Sequence, residues 1–236
     1  GSYRGYQIIS MGPPSSGGVA LIEMLNIVEG FDLLKEGHGS AQHIHLLTES
    51  MRRAFFDRAK FLGDPDFNSD MPIEMLISKS YAQKLRKEIR YTKASISDLI
   101  PLNQAYESKE TTHYSVVDSL GNAVVVTYTL EDSYGSRIAI KGLGFLLNNQ
   151  MGDFNPVPGE TTQTGQIGTA PNLIAPNKRM LSSMTPTIVL KNDNPFFLIG
   201  SPGGRTIINT VFQLIVNIID FKMDIGEAIE AGRIHH

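Results

Sequence analysis

The sequence predicts an α+β fold in which antiparallel sheets are layered with helices. Three observations predict it. Helical stretches recur within residues 17–89, with apolar residues at three-to-four spacing from Ile44 to Ala59, β-branched runs flank a polar break at Gly121 within Glu110–Leu130, and an apolar helical stretch spans Thr206–Ile219. Helices, then strands, then helices favour segregated layers over alternating βαβ units.

Taken in order, Gln7–Ser10 suits a short strand that Pro13-Pro14 ends. Ser15-Ser16 offer a cap for a helix over Gly17–Val28, with Val19, Ile22, Leu25, Ile27 and Val28 apolar and Gly30 as its stop. A longer helix begins after Ser40, where Ile44, Leu47, Met51, Phe55 and Ala59 share a face and Gly63-Asp64-Pro65 ends it. Arg52, Arg53, Arg58 and Lys60 read as its solvated face. Met71–Ile77 and Ser78–Ile89 read as two short helices, and Tyr91–Lys109 as an extended, exposed approach to Thr111.

Glu110–Leu130 carries the hairpin signal. If Asp118 pairs with Asn122 across a three-residue loop ending in Gly121, paired positions sum to 240 and Thr111 faces Thr129. A two-residue loop puts Leu130 opposite Thr111 instead. Paired threonines alone signify strand propensity. Beyond the hairpin, Glu131–Ser136 is turn-rich and leads to Ile138–Ile140. Phe145-Leu146-Leu147 reads as a buried strand. Asn155–Pro176 is a long Gly/Thr/Pro-rich loop, of a length that usually marks a lid or binding loop. Pro186–Leu190 and Phe196–Ile199 form a second hairpin around Asn192-Asp193-Asn194. Gly203-Gly204 then opens the Thr206–Ile219 helix, and Glu227–Ala231 starts another.

The 236 residues allow one sizeable domain or two small ones, and 41% hydrophobic with 19% charged residues is ordinary for a globular protein. A net charge of −3 offers no basic footprint, which argues against nucleic acid or an anionic membrane as partner. No apolar run is long enough to span a bilayer. The absence of cysteine excludes disulfides, thiolate metal sites and a Cys nucleophile. His43 and His45 lack the i, i+4 spacing of a helical metal pair, and His235 and His236 are terminal, so no metal and no cofactor are expected.

Several of these stretches carry a resemblance. Thr111–Asp118 followed by Gly121–Val124 is similar to the start of the small subunit of γ-glutamyltranspeptidases. Asn148–Met151, Ser182–Thr187 and Gly200–Gly204 resemble that family's later motifs in the same order, and Tyr3–Tyr6 and Pro13–Gly18 resemble the end of its large subunit. The resemblance covers essentially the whole chain. It implies that residues 1–110 are the mainly helical C-terminal part of a large subunit and 111–236 most of a small subunit. Together they would form one truncated domain of the N-terminal nucleophile hydrolase type, a four-layer αββα sandwich. The N-terminal part of the precursor, including the arginine that pairs with the substrate carboxylate, would lie before residue 1, and the sequence at Ile234–His236 reads as continuing beyond this chain.

The resemblance also assigns roles. It implies autocatalytic cleavage between Glu110 and Thr111, after which the freed α-amine serves as base for the Thr111 hydroxyl. Thr129 matches the residue that hydrogen-bonds this nucleophile. Gly203 and Gly204 match the oxyanion hole, where glycine lets backbone N–H groups approach developing charge; a plain turn is the alternative, and a phosphate loop a weaker one because no Gly-Lys-Ser/Thr follows. Ser182 and Ser183 match residues that bind the α-carboxylate of a γ-glutamyl group, though either could cap a turn before Pro186. Gln150 and Asp153 match those that hold its α-amino group. Two departures stand out. Glu131 occupies a position where the family commonly has Asn, and Gly152 stands where an acidic residue is usual.

The implied activity is transfer of a γ-glutamyl group from glutathione and related amides to water or an amino acid. An acylase acting on glutaryl or poly-γ-glutamate amides is the alternative, and an uncleaved, non-catalytic homologue the rival from another class. The implied partners are the small-molecule donor, its acceptor and the remainder of the precursor. The implied location is periplasmic or extracellular.

Overall fold

The computed structural model describes residues 1–96, 110–154 and 169–236. Most of the long loop at 155–176, and most of the approach to Thr111, therefore lie outside the described residues. The centre of the molecule is helix α1 (Gly17–Val28), every residue of which is buried. It is covered on every face, the polar Glu23 and Asn26 included. Helix α2 (Leu33–Glu36) is a single turn; α3 (Ala41–Phe61) then packs along α1, with Ser40 accepting from the His43 N–H as its N-cap. Helices α4 (Ile73–Leu76) and α5 (Lys79–Lys87) also pack on α1. Leu21, Met24, Leu25 and Ile27 of α1 are at most 1% exposed. Each contributes about 1.5–3 kcal/mol by leaving water.

The start of α1 differs from the expectation. Ser16 makes no side-chain cap; its hydroxyl donates instead to the Ser182 carbonyl at 2.8 Å. The Gly17 N–H turns to Ser15 Oγ at 3.2 Å and the Gly18 N–H to the Met11 carbonyl at 2.8 Å. Glycine is required at position 17 because a Cβ there would strike the Met184 carbonyl.

Strands β1 (Ser2–Tyr3) and β2 (Tyr6–Ser10) open a four-stranded antiparallel sheet, completed by β5 (Thr187–Lys191) and β6 (Asn194–Ile199) in the order β1-β2-β5-β6. Ile8, Val189 and Phe197 lie in register and face the helices, while Ile9, Ile188 and Leu198 line the opposite face. The β5–β6 turn is tighter than its three polar residues suggest: Lys191 pairs with Asn194, and Asn192 and Asp193 both take positive φ. Two strands of this sheet precede position 111 and two follow it, so the halves of the chain share one core. Helix α6 (Thr206–Ile219) packs on α1 from the C-terminal half, and α7 (Ile225–Glu230) begins with a capping box from Asp224.

Strands β3 (Thr112–Val117) and β4 (Ala123–Tyr128) form a separate antiparallel pair whose β4 lies against β5 and β6. Its register is Thr112↔Tyr128 through Val117↔Ala123, with the Asp118 N–H on the Asn122 carbonyl and Gly121 at φ +84°. Positions sum to 240, which is the three-residue-loop alternative.

Two expectations are corrected. Phe145-Leu146-Leu147 is not a buried strand. Ala139 and Leu146 form one isolated bridge, and Phe145 is 51% exposed. The two glycines at 142 and 144, both at positive φ, turn the chain before a longer ladder can build. Arg58 does not belong to a solvated face. It is 4% exposed, in the last turn of α3. Among the described residues no helix is long and apolar enough to cross a membrane.

Candidate active site

The site begins at the open end of the β3–β4 hairpin. Register places Thr111 opposite Thr129, and the Thr111 hydroxyl donates to Thr129 Oγ1 at 3.2 Å. Thr129 Oγ1 donates in turn to the Glu110 carbonyl at 2.9 Å and accepts the Glu131 N–H at 2.9 Å. One hydroxyl thus touches the nucleophile candidate, the carbonyl before it and the next backbone turn. Glu131 sits at φ +78°, uncommon for a residue with a side chain, and the Thr129 contact helps hold it there. His113, one residue into β3, packs against Gly200 and bonds Thr127 Oγ1 at 2.9 Å; burial lowers its pKa.

The Glu131 turn is tied to a short 3-10 helix, Gln150–Asp153. Asn149 donates its backbone N–H to the Leu130 carbonyl at 3.1 Å, and its side chain pairs with Asp132 in both directions, at 3.1 Å and 2.9 Å. That lacing brings the Glu131 and Asp153 carboxyls together. Burial raises both pKa values, and the neighbouring Asp153 raises Glu131 further. Two cations counter them. Arg58 acts on Asp153, and Arg205 acts on both carboxyls.

Arg205 follows Gly203-Gly204, which leaves β6 and enters α6 as the spacing predicts. Gly203 adopts φ +121° and Gly204 φ +55°. The Gly203 carbonyl accepts from the Thr206 N–H at 3.0 Å and from the Thr206 hydroxyl at 2.6 Å. Among the described residues, neither glycine N–H meets a protein acceptor. Two N–H groups in a turn of this kind can receive developing negative charge.

Ser182 and Ser183 are fixed from the other side. Ser15 and Ser182 form a parallel bridge, and the Ser182 carbonyl accepts both the Ser16 N–H and the Ser16 hydroxyl, each at 2.8 Å. Ser182 Oγ accepts the Met184 N–H at 3.1 Å and Ser183 Oγ accepts from Arg58 at 3.1 Å. The structure therefore links the two threonines with Glu131 and Asp153, Asp153 with Arg58, and Arg58 with Ser183. Gln150 shares the turn of Asp153, but among the described residues its side chain has no link to this chain of contacts. Sequence reasoning missed Arg58, Arg205 and His113. Only tertiary neighbours distinguish these from ordinary charged or strand residues.

A family model described as gamma-glutamyltranspeptidase matches residues 1–236. The "Glutathione hydrolase proenzyme" of Escherichia coli (strain K12) is 48% identical over 238 residues, which covers 100% of this chain and 41% of that protein. Among solved structures, a T380A mutant of Helicobacter pylori gamma-glutamyltranspeptidase is 57% identical over 52% of this chain and 67% of its own, with a TM-score of 0.50. A cephalosporin acylase from Bacillus halodurans is 27% identical over 98% of this chain and 39% of its own, with a TM-score of 0.77. The chain thus spans about two fifths of the length of the curated relatives it matches.

Proposed function

Because the chain belongs to the γ-glutamyltranspeptidase family, we propose that the whole protein is an acyltransferase and hydrolase of γ-glutamyl amides, glutathione among them, that activates itself by cleavage at Glu110–Thr111. The observation that carries this reading is the Thr111–Thr129–Glu110 contact set. The Thr111 oxygen attacks the Glu110 carbonyl carbon while Thr129 donates to the carbonyl oxygen, where negative charge builds. The C–N bond breaks, nitrogen takes the proton as a new α-amine, and an ester remains. Water hydrolyses the ester, leaving a Glu110 carboxylate and a free Thr111.

The same hydroxyl then attacks the γ-carbonyl of a donor. Its own α-amine takes the proton and passes it to the leaving amine. The acyl group rests on Thr111 until water or an amino acid removes it. Gly203 and Gly204 receive the oxyanion, Ser182 and Ser183 the donor's α-carboxylate, and Gln150, Asp153 and Glu131 its α-ammonium. Two neutral hydroxyls suit a carboxylate because they cost less to bury than a cation.

The finer architecture under this reading is the four-layer sandwich, with the β1-β2-β5-β6 sheet and the β3–β4 pair contributing to its two inner layers. Residues 1–110 would belong to one product of the cut and 111–236 to the other, joined by the sheet they share, and the protein would act with further precursor sequence outside the cell's cytoplasm. A second reading, an acylase of glutaryl-type amides, is favoured by Glu131 and by the likeness to the cephalosporin acylase. Rates of full-length protein on γ-glutamyl and glutaryl p-nitroanilides separate them. A γ-glutamyl preference supports the first reading, and a glutaryl preference replaces it with the second.

A further inference from the structure

We propose that Arg58 is a positioning residue for the acyl donor, its guanidinium holding Ser183 so that the hydroxyl's hydrogen faces the donor carboxylate. This rests on the γ-glutamyl reading of the site. A guanidinium that is 4% exposed is costly unless its donors are used and its charge is met. Arg58 Nε donates to Ser16 Oγ at 2.8 Å and an Nη donates to Ser183 Oγ at 3.1 Å. Ser16 passes the constraint on, since its own hydroxyl holds the Ser182 carbonyl at 2.8 Å. Both serines of the pair are therefore fixed through one side chain of α3.

A hydroxyl has one hydrogen to give and two lone pairs to receive with. Arg58 fills an acceptor position on Ser183, and the Met184 N–H fills one on Ser182 at 3.1 Å. Neither donation consumes the serine's hydrogen, and among the described residues neither hydroxyl gives its hydrogen to a protein acceptor. Two adjacent O–H donors are left, which is what a carboxylate accepts. Arg58 also acts electrostatically on Asp153, so it stands between the groups that would take the two ends of an α-amino acid. Lysine cannot replace it: an ammonium lacks the planar fork that reaches Ser16 and Ser183 together.

The test uses full-length protein and two donors, γ-glutamyl p-nitroanilide and 4-aminobutyryl p-nitroanilide, which lacks the α-carboxylate. In Arg58→Lys, kcat/KM for the first should fall about 10- to 100-fold, mostly through KM, and that for the second by less than about threefold. Ser183→Ala should collapse the same ratio, and adding Arg58→Lys to it should lower the ratio by less than about threefold more. Ser16→Ala keeps the charge and removes one anchor, so the inference stays testable if Arg58 variants fail to fold; it should lower the ratio about three- to tenfold. An equal fall on both donors, or an unchanged ratio, overturns the inference while wild-type γ-glutamyl turnover stands. A wild-type protein that cleaves itself yet ignores γ-glutamyl donors overturns the site reading and this inference together.

Discussion

The Thr111 and Thr129 hydroxyls lie 3.2 Å apart, and the second of them donates to the Glu110 carbonyl at 2.9 Å. The contact that would orient a nucleophile is thus also the contact that would polarise the bond to be cut. Thr129→Ala should slow cleavage at Glu110–Thr111 by about 10²-fold or more, the usual cost of losing one preorganised donor. Thr129→Ser, which keeps the hydroxyl, should process nearly as fast as wild type. The half-time of fragment appearance on denaturing gels measures both.

Gly203 at φ +121° and Gly204 at φ +55° set a backbone that L side chains rarely adopt. Gly204→Ala should strain this turn and displace the two N–H groups. The expected result is a fall in kcat of about 10²–10³-fold with KM little changed. Steady-state kinetics on processed enzyme checks it, and a rise in KM alone would point to a donor-binding role instead.

Burial pushes the Glu131 carboxyl up to about 7 and Asp153 to about 6. An α-ammonium binds the ionised forms, so kcat/KM should rise with pH through that window and be lost, about tenfold per unit, as protons return below it. The two steps belong to the pair, so Glu131→Gln should reduce them to one. The pH profile of kcat/KM reads this directly. A profile identical in wild type and Glu131→Gln would mean that the pair does not face the donor.

Asp64 holds the segment leading to Ser182. It accepts the Arg179 N–H at 2.7 Å and the guanidinium as well, and Arg179 holds its carboxyl down at about 2. Asp64→Ala should cost roughly 1–3 kcal/mol, toward the lower end because the Arg179 side chain is half exposed. The melting temperature should drop about 2–4 °C per kcal/mol. The depressed pKa sets the sign: Asp64 stabilises the fold above the ordinary carboxylate range, so the wild-type advantage should vanish as pH falls toward about 2.

Much of this was legible in the sequence because local rules and tertiary demands agree. The hairpin register follows from Gly121 and the Asp118–Asn122 pairing, and it alone brings Thr111 to Thr129. Helices α1 and α6 were legible to the residue because their apolar content exceeds what one face needs. Arg58 was not, since Arg52, Arg53 and Lys60 around it give the pattern of a wetted face and its partner Ser183 lies 125 positions away. Phe145 misled in the opposite direction, its apolar run signalling a strand that Gly142 and Gly144 prevent. The Glu131–Asp153 pair needed both the substitution and the Asn149 lacing to be seen.

The most direct measurement is the intact mass of freshly expressed full-length protein, followed with time beside its Thr111→Ala variant. The account predicts that wild type resolves into two fragments meeting between Glu110 and Thr111, with γ-glutamyl hydrolysis appearing in step, while the variant stays whole and inert. A variant that splits at the same bond, or a wild type that hydrolyses γ-glutamyl amides as a single uncut chain, would contradict it.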